Sequence, residues 1–320
     1  MTTLQAEIED VFNQFPTYIL RDIIEDYEVG ITSNKKEELV SGLLEQTWSD
    51  EEKEHIVQRL SAVKEEDRPL MRYILTIESE SSLSILVESI SANPVEFNED
   101  NIPISDGFEI RSEGESILEA TEWKVNETEE YIPEIEDVRK TTEYSRTDFV
   151  VDLSESRLFV ESSNYGKATH VRSVLSENGF DFGDIGHRYL QSGQANDLVR
   201  EFVRDLRNGE TALRSVEVSS VKMWIPDISD VRDVEIGGTA DIFSHNDVTY
   251  FTDDRDAKIV GLGGHVAYNN ASFDFIVGYT LTSGIGRIKV KKNGQKTGNP
   301  EIREEVFGEL RELYEEYFIA

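Results

Sequence analysis

The chain has 320 residues and carries 65 acidic residues against 32 Lys and Arg, which gives a formal net charge of −33 at pH 7. A chain this acidic would usually indicate disorder, but hydrophobic residues make up 38% of it, so we expect it to fold. The absence of cysteine excludes disulfides, thiolate zinc sites and cysteine nucleophiles.

This charge is typical of proteins that work in molar salt, where the Debye length is about 3 Å and neighbouring carboxylates hardly repel one another. Lysine is scarce, with 13 Lys against 19 Arg, as in proteins of extremely halophilic archaea and their viruses. No signal peptide is apparent and no apolar run approaches membrane-spanning length, so we expect a cytoplasmic protein without a membrane partner. Acidity of this kind reflects the solvent and does not exclude a nucleic-acid partner.

Residues 1–80 predict a bundle of short helices, because apolar residues recur there at helical spacing. Ser49 and Glu52 form a capping box that opens a fourth helix, and Pro69 fits the first turn of a fifth. Residues 81–116 are rich in acidic residues and contain two prolines, which predicts an acidic linker or an irregular edge.

Residues 117–320 predict an α+β domain, a mostly antiparallel sheet with backing helices. The three residues Ser154–Ser156 separate two apolar runs and suit a tight hairpin, and the glycines in 261–264 indicate a bulge or a close backbone approach. Strands are predicted at 149–153, 157–161, 212–225, 231–243, 247–252, 257–268, 271–281 and 285–292, and helices after residue 166, at 198–206 and at 300–318.

Four of the 13 lysines fall within eight residues of the C-terminal part. Strand alternation places Arg287, Lys289 and Lys291 on one face, and Lys292 and Lys296 flank an Asn-Gly turn signal. A basic hairpin of this kind suits contact with phosphates in a groove of DNA. The alternative is an edge strand protected by lysines.

A second basic group consists of Arg200, Arg204 and Arg207, which share one face of a predicted helix. They could face phosphates or a partner. The alternative, which we favour, is pairing with the acidic residues Glu201, Asp197 and Asp205 of the same helix.

A third basic group, Lys167, His170 and Arg172, lies in the first turns of the helix that follows Asn164. Because a helix N-terminus exposes unpaired N–H groups, it can hold an anion. We favour the alternative that this is an ordinary Ser/Asn cap.

Catalytic signals are weak. Asp152 and Glu161 on neighbouring strands resemble a nuclease metal pair without its lysine, and Asp253, Asp254 and Asp256 could gather a cation but more simply form a turn. We assign no catalytic residue, metal ligand or cofactor. The five histidines show no metal-ligand spacing: His55, His170, His187, His245 and His265.

Segment 19–44 contains an apolar helix, a short turn and the run Ser33-Asn34-Lys35-Lys36 followed by Leu39-Val40, and it resembles a SAP-type helix–loop–helix. SAP motifs bind DNA, and the resemblance implies that role for Lys35 and Lys36.

The order of elements, a helical bundle followed by strands, two helices and more strands, is similar to that of the inner-kinetochore CENP-N family. The comparison rests on Leu43-Leu44, the stretch Arg68–Ile74, and the stretch Phe149–Val174 with Leu158-Phe159-Val160-Glu161. The resemblance implies a nucleoprotein-binding adaptor without catalysis.

The sequence therefore favours a non-enzymatic adaptor, adapted to high salt, that binds DNA or a DNA-bound protein through the basic hairpin. One alternative is a protein–protein adaptor that docks a partner on residues 1–80 without contacting nucleic acid. A second is a metal-dependent enzyme that acts on nucleic acid through the carboxylates named above.

Overall fold

The chain divides into two compact units, a helical unit (Met1–Arg68 with Lys291–Arg303) and a sheet unit (Pro69–Val290 with Glu304–Ala320). A computed structural model describes residues 11–13, 15, 17–27, 29–33, 35–49, 52–53, 55–57, 70–78, 82–99, 102–132, 137–208, 211–226, 233–238, 242–280, 284–293 and 300–319.

The helical unit contains helices α1 (Thr17–Asp26) and α2 (Lys36–Leu44). Their apolar faces form a core with Trp48, whose indole N–H donates to the Leu43 carbonyl at 2.8 Å. The predicted capping box is confirmed, since the Ser49 N–H donates to Glu52 at 2.7 Å and the Glu52 N–H donates to the Ser49 hydroxyl at 3.3 Å.

The sheet unit is built on one ten-stranded sheet in the order β2-β3-β4-β5-β1-β10-β9-β8-β6-β7. The strand pairs whose register is defined are antiparallel, which confirms the predicted α+β class. The strands are β1 Leu70–Thr76, β2 Gly107–Glu113, β3 Ile117–Ile132, β4 Asp137–Asp152, β5 Arg157–Glu161, β6 Arg214–Trp224, β7 Val234–Gly237, β8 Lys258–Tyr268, β9 Ala271–Tyr279 and β10 Gly286–Asn293.

Six more helices and three short helical turns are defined among the described residues. The helices are α3 Leu83–Ser91, α4 Tyr165–Glu177, α5 Ile185–Gln191, α6 Ala195–Asn208, α7 Asn246–Thr249 and α8 Pro300–Tyr314. A 3₁₀ turn spans Ile242–Ser244, and π-helical turns span Tyr250–Asp254 and Glu315–Ile319. None of the described helices is long and apolar enough to cross a membrane.

The predicted fifth helix after Pro69 is wrong, because Leu70–Thr76 is strand β1 and lies between β5 and β10. Both faces of the strand carry buried residues, so its sequence lacks the alternation that marks a half-buried strand. Residues 1–80 therefore do not form a helical bundle throughout. Residues 81–116, predicted as a linker or an irregular edge, contain α3 and the outermost strand β2.

Two further predictions concern the second half of the sheet. The strand predicted at 247–252 is wrong, since α7 and a π-helical turn occupy these residues. The close approach predicted at the glycines of β8 is confirmed: a Cβ on Gly264 would lie 2.1 Å from the Glu217 carbonyl oxygen of β6, and the β6–β8 register shifts beside it. The predicted β4–β5 hairpin is also present.

Helices cover both faces of the central strands. On one face, residues of α3 and α4 share a core with Tyr73 and Leu75 of β1. On the other face, α8 lies over β1 and β5, where the Arg72 guanidinium is 4.8 Å from the Phe307 ring. The side chains of β10 therefore alternate between the face covered by α3 and α4 and the face covered by α8.

Candidate functional site: the basic face of β10

The candidate site is the pair of cations Arg287 and Lys289. Strand β10 lies between β1 and β9, so the alternative of a lysine-protected edge strand is wrong. Arg287 is opposite Tyr73 and Lys289 is opposite Met71 of β1. Since opposed residues of antiparallel strands share a face, both cations lie on the face that α3 and α4 cover, and both are partly buried.

Arg287 lies opposite Tyr73, whose ring contacts a second tyrosine. The ring of Tyr165, the first residue of α4, lies 6.0 Å from the ring of Tyr73, and Tyr73 is 2% exposed. Burial raises the pKa of Tyr73, while the Arg287 guanidinium opposes that rise and Tyr165 adds to it. The Arg287 guanidinium and the Tyr165 hydroxyl therefore both lie within electrostatic reach of the Tyr73 hydroxyl.

Neither cation of the pair has an acceptor for its side chain among the described residues. Within the described residues, the Arg287 and Lys289 side chains make no hydrogen bond and no ion pair, and Arg287 Nε is buried without a partner. The Tyr73 hydroxyl likewise makes no hydrogen bond to a described residue. Because unsatisfied buried donors cost free energy and are rare in native proteins, this arrangement suits an anion from outside the chain.

The other predicted members of the basic hairpin are placed differently. Lys291 is exposed and Lys292 is partly buried, and both belong to the helical unit. Lys296 and the second arm of the predicted hairpin lie outside the described residues.

The arginine group on α6 is held by acidic residues, as we favoured from the sequence. Arg200 lies 3.5 Å from Asp197 and 3.9 Å from Asp253, and the Arg204 Nε donates to Asp205 at 2.9 Å. Arg207 is exposed and also has a partner.

The two basic groups lie on opposite sides of the sheet. Phe202 of α6 packs against Phe318, in the turn that continues α8. α8 covers the face of Arg72, whose neighbour on β10 is Ile288 rather than Arg287. The structure therefore does not bring the α6 arginines to the β10 pair.

The N-terminus of α4 has the ordinary cap that we favoured. Asn164 accepts the Gly166 N–H at 2.8 Å, and the Lys167 ζ-amino group donates to the Arg146 carbonyl at 3.3 Å. His170 lies 2.7 Å from the buried carboxylate of Glu122. The third residue of this group also has a contact, since Arg172 lies 5.9 Å from the Phe182 ring.

The SAP-like segment forms the two helices α1 and α2, but its basic residues are engaged. Lys35 lies 2.9 Å from Glu38, and Lys36 donates to the Asn13 carbonyl at 2.8 Å. Beside them lies an open groove of about 680 Å³, whose apolar lining comes from Ile24, Val29, Ile31 and Leu39, with Arg21, Glu25, Thr32 and Ser33.

The carboxylates considered for a metal do not converge. Asp152 accepts backbone N–H groups of the β4–β5 turn. Glu161 is opposite Asp148 and pairs with Arg72 at 3.2 Å, so it lies four residues, or about 13 Å, along the strand from Asp152.

Asp253 and Asp256 of the acidic turn after α7 are likewise engaged by neighbouring side chains and do not converge on a metal site. Asp256 pairs with Lys258 at 2.7 Å, and Asp253 accepts from Thr252 at 3.0 Å. Among the residues that the structure describes, no group of three or more His, Asp or Glu could hold a metal ion.

The sequence indicated Arg287 and Lys289 but missed Tyr73 and Tyr165. Tyr73 lies in the segment predicted as a helix, and no local pattern relates it to β10. A scan against family models found no match, and a search of curated proteins found no relative.

Proposed function

We propose that the protein is a non-enzymatic adaptor that binds DNA, or a DNA-bound protein, in a salt-rich cytoplasm, with a phosphate group on Arg287 and Lys289. One observation carries the proposal: in a chain of net charge −33, these two adjacent cations have no acidic partner among the described residues. By contrast, the arginines of α6 are paired.

High salt limits what phosphate contacts can contribute, because binding by counterion release weakens steeply as salt rises. A partly buried guanidinium is less exposed to this screening than a surface lysine. The hydroxyls of Tyr73 and Tyr165 add donors that do not depend on counterion release. The site therefore suits a few well-placed phosphate contacts more than a broad basic surface.

The test is a fluorescence-anisotropy titration of duplex DNA from low salt to about 2 M KCl. We expect the double variant Arg287→Gln/Lys289→Gln to bind more weakly and to lower the slope of log K against log salt by about 1.8, since each phosphate contact contributes about 0.9. The control Arg200→Gln/Arg204→Gln changes the net charge equally and should bind like wild type.

Folding of each variant is checked by circular dichroism. An absence of binding by the wild type at every salt concentration would refute the proposal. Equal losses in the two double variants would show that only net charge matters, and would refute the assignment of the site.

A second candidate is a protein–protein adaptor that docks a partner on the helical unit. The groove at Ile24, Val29, Ile31 and Leu39 favours it, because an apolar groove with polar residues at its rim suits an amphipathic helix. A photo-crosslinker at Thr32 should then capture a partner from cell extract, and Ile31→Asp should abolish that capture. Capture that persists in Ile31→Asp would exclude the groove.

A further inference from the structure

Tyr314, the last residue of α8, is 0% exposed, and its hydroxyl contacts the backbone of two central strands. It donates to the Gly278 carbonyl of β9 at 2.9 Å, and it accepts a hydrogen bond from the backbone N–H of Arg287 on β10. One side-chain hydroxyl is therefore bonded to both strands at the level of the candidate site.

In an uninterrupted ladder these two backbone groups would bond to each other. The Thr280 N–H donates to the Ile285 carbonyl at 2.9 Å, and hydrogen-bonded pairs of antiparallel strands recur at every second residue. Counting two residues back from Thr280 and two forward from Ile285 makes Gly278 and Arg287 the next such pair. The Tyr314 hydroxyl therefore bridges the two strands where a direct backbone bond is expected.

The surroundings of Tyr314 fit this insertion. A Cβ on Gly286 would lie 2.6 Å from the Tyr314 hydroxyl oxygen and 3.3 Å from its Cε1 atom, so glycine leaves the room that the ring needs. The Phe318 ring stacks on the Tyr314 ring at 4.9 Å. Phe318 in turn contacts the rings of Tyr189 on α5 and Phe202 on α6, at 5.4 and 5.5 Å. Helices on one face of the sheet therefore fix the position of the hydroxyl.

The bridge bears on the candidate site because the Arg287 side chain has no polar anchor of its own. Its guanidinium makes no hydrogen bond and no ion pair with a described residue, so its direction depends on the backbone from which it projects. The side chain lies on the face of Tyr73, whereas Tyr314 reaches the same backbone from the face that α8 covers. A shift of the Arg287 N–H would therefore move the guanidinium.

We propose that Tyr314 is a positioning residue for the anion site. By bridging β9 and β10 at Arg287, its hydroxyl holds the backbone where the guanidinium can reach a phosphate. Tyr314 itself touches no ligand, because it is buried on the opposite face of the sheet. Its contribution is preorganisation, which reduces the ordering that binding would otherwise require. The inference rests on the proposed function for its binding measurement.

The first test removes the bridge and keeps the ring. We expect Tyr314→Phe to bind duplex DNA about tenfold more weakly than wild type, since a misplaced guanidinium loses a charge-assisted hydrogen bond. Tyr189→Phe is the matched control, because the Tyr189 hydroxyl is also buried and donates to the Ala195 carbonyl at 2.5 Å. This control loses a comparable hydrogen bond in the same aromatic cluster and should bind DNA like wild type.

A double-mutant cycle separates positioning from a general loss of stability. Tyr314→Phe should weaken binding in the wild-type background but not in Arg287→Gln, where there is no guanidinium to position. Equal losses in the two backgrounds, or unchanged binding by Tyr314→Phe, would overturn the proposal.

An NMR measurement without DNA distinguishes this proposal from the proposed function. The Nε–H resonance of Arg287, identified by its absence in Arg287→Gln, should shift in Tyr314→Phe and stay in place in Tyr189→Phe. If it does so while the wild type binds no DNA, the positioning role stands and the proposed function is refuted. An unshifted resonance in Tyr314→Phe would overturn the positioning role even if DNA binds.

Discussion

Tyr73 and Arg287 are opposite each other on β1 and β10, so a guanidinium lies beside a tyrosine that is 2% exposed. The face they share is otherwise an apolar core covered by α3 and α4. A cation with no acceptor in the described part of this core reduces stability. A role in binding would explain why the chain keeps this cation in spite of that cost.

The first prediction follows from that cost. Arg287→Met removes a buried donor that has no partner in the described residues and keeps the volume of the side chain, so we expect a more stable protein by up to about 1 kcal/mol. The same variant should bind DNA more weakly. Urea unfolding and DNA titration of one preparation measure both effects, and a loss of stability would show that the guanidinium has a structural role.

The second prediction concerns the approach of β6 to β8. In Gly264→Ala the new Cβ meets the Glu217 carbonyl oxygen at 2.1 Å, and the strands must separate. We expect a loss of about 1–3 kcal/mol in the free energy of unfolding. Gly308→Ala on α8, where a Cβ meets nothing within 4 Å, should instead gain about 0.5–1 kcal/mol. Denaturant unfolding of both variants shows whether the signs differ.

The third prediction concerns acid. A hydrogen bond from Arg204, with a further one from Tyr317, holds the pKa of Asp205 below its ordinary value of 3.8. A depressed carboxyl pKa stabilises the folded state above the unfolded-state value, and this stabilisation is lost as pH falls through the folded-state value. Asp205→Asn should therefore be less stable than wild type at pH 6, with the difference shrinking below about pH 4. Thermal melts from pH 3 to pH 6 measure it.

Glu99→Gln is the control for that experiment, because Glu99 is exposed. Its melting temperature should follow that of the wild type across the whole range. A constant deficit of Asp205→Asn at all pH values would mean that packing, and not ionisation, explains the loss.

The fourth prediction concerns salt. The net charge of −33 produces self-repulsion that is screened as the Debye length falls from about 10 Å at 0.1 M to about 3 Å at 1 M salt. We expect the melting temperature to rise steeply between 0.1 and 2 M KCl. Sucrose at matched viscosity should not reproduce the rise, and a melting temperature independent of KCl would contradict adaptation to high salt.

Several local features were predictable because short-range interactions determine them. The capping box of Ser49 and Glu52 depends on residues three apart, and the α6 arginines find acidic partners on their own helix. The apolar segment Leu70–Thr76 was assigned to the wrong class, because a run buried on both faces has the same appearance in a helix and in a central strand.

The sequence by itself determined the α+β class, the dominance of acidic residues and the concentration of lysines near Lys289, because composition and periodicity are properties of the chain. Only the tertiary structure decided that Arg287 faces Tyr73 in the centre of the sheet and has no carboxylate partner among the described residues. For a cation on a strand, the presence of a carboxylate depends on which distant strands and helices become neighbours, and strand order in the sheet sets those neighbours.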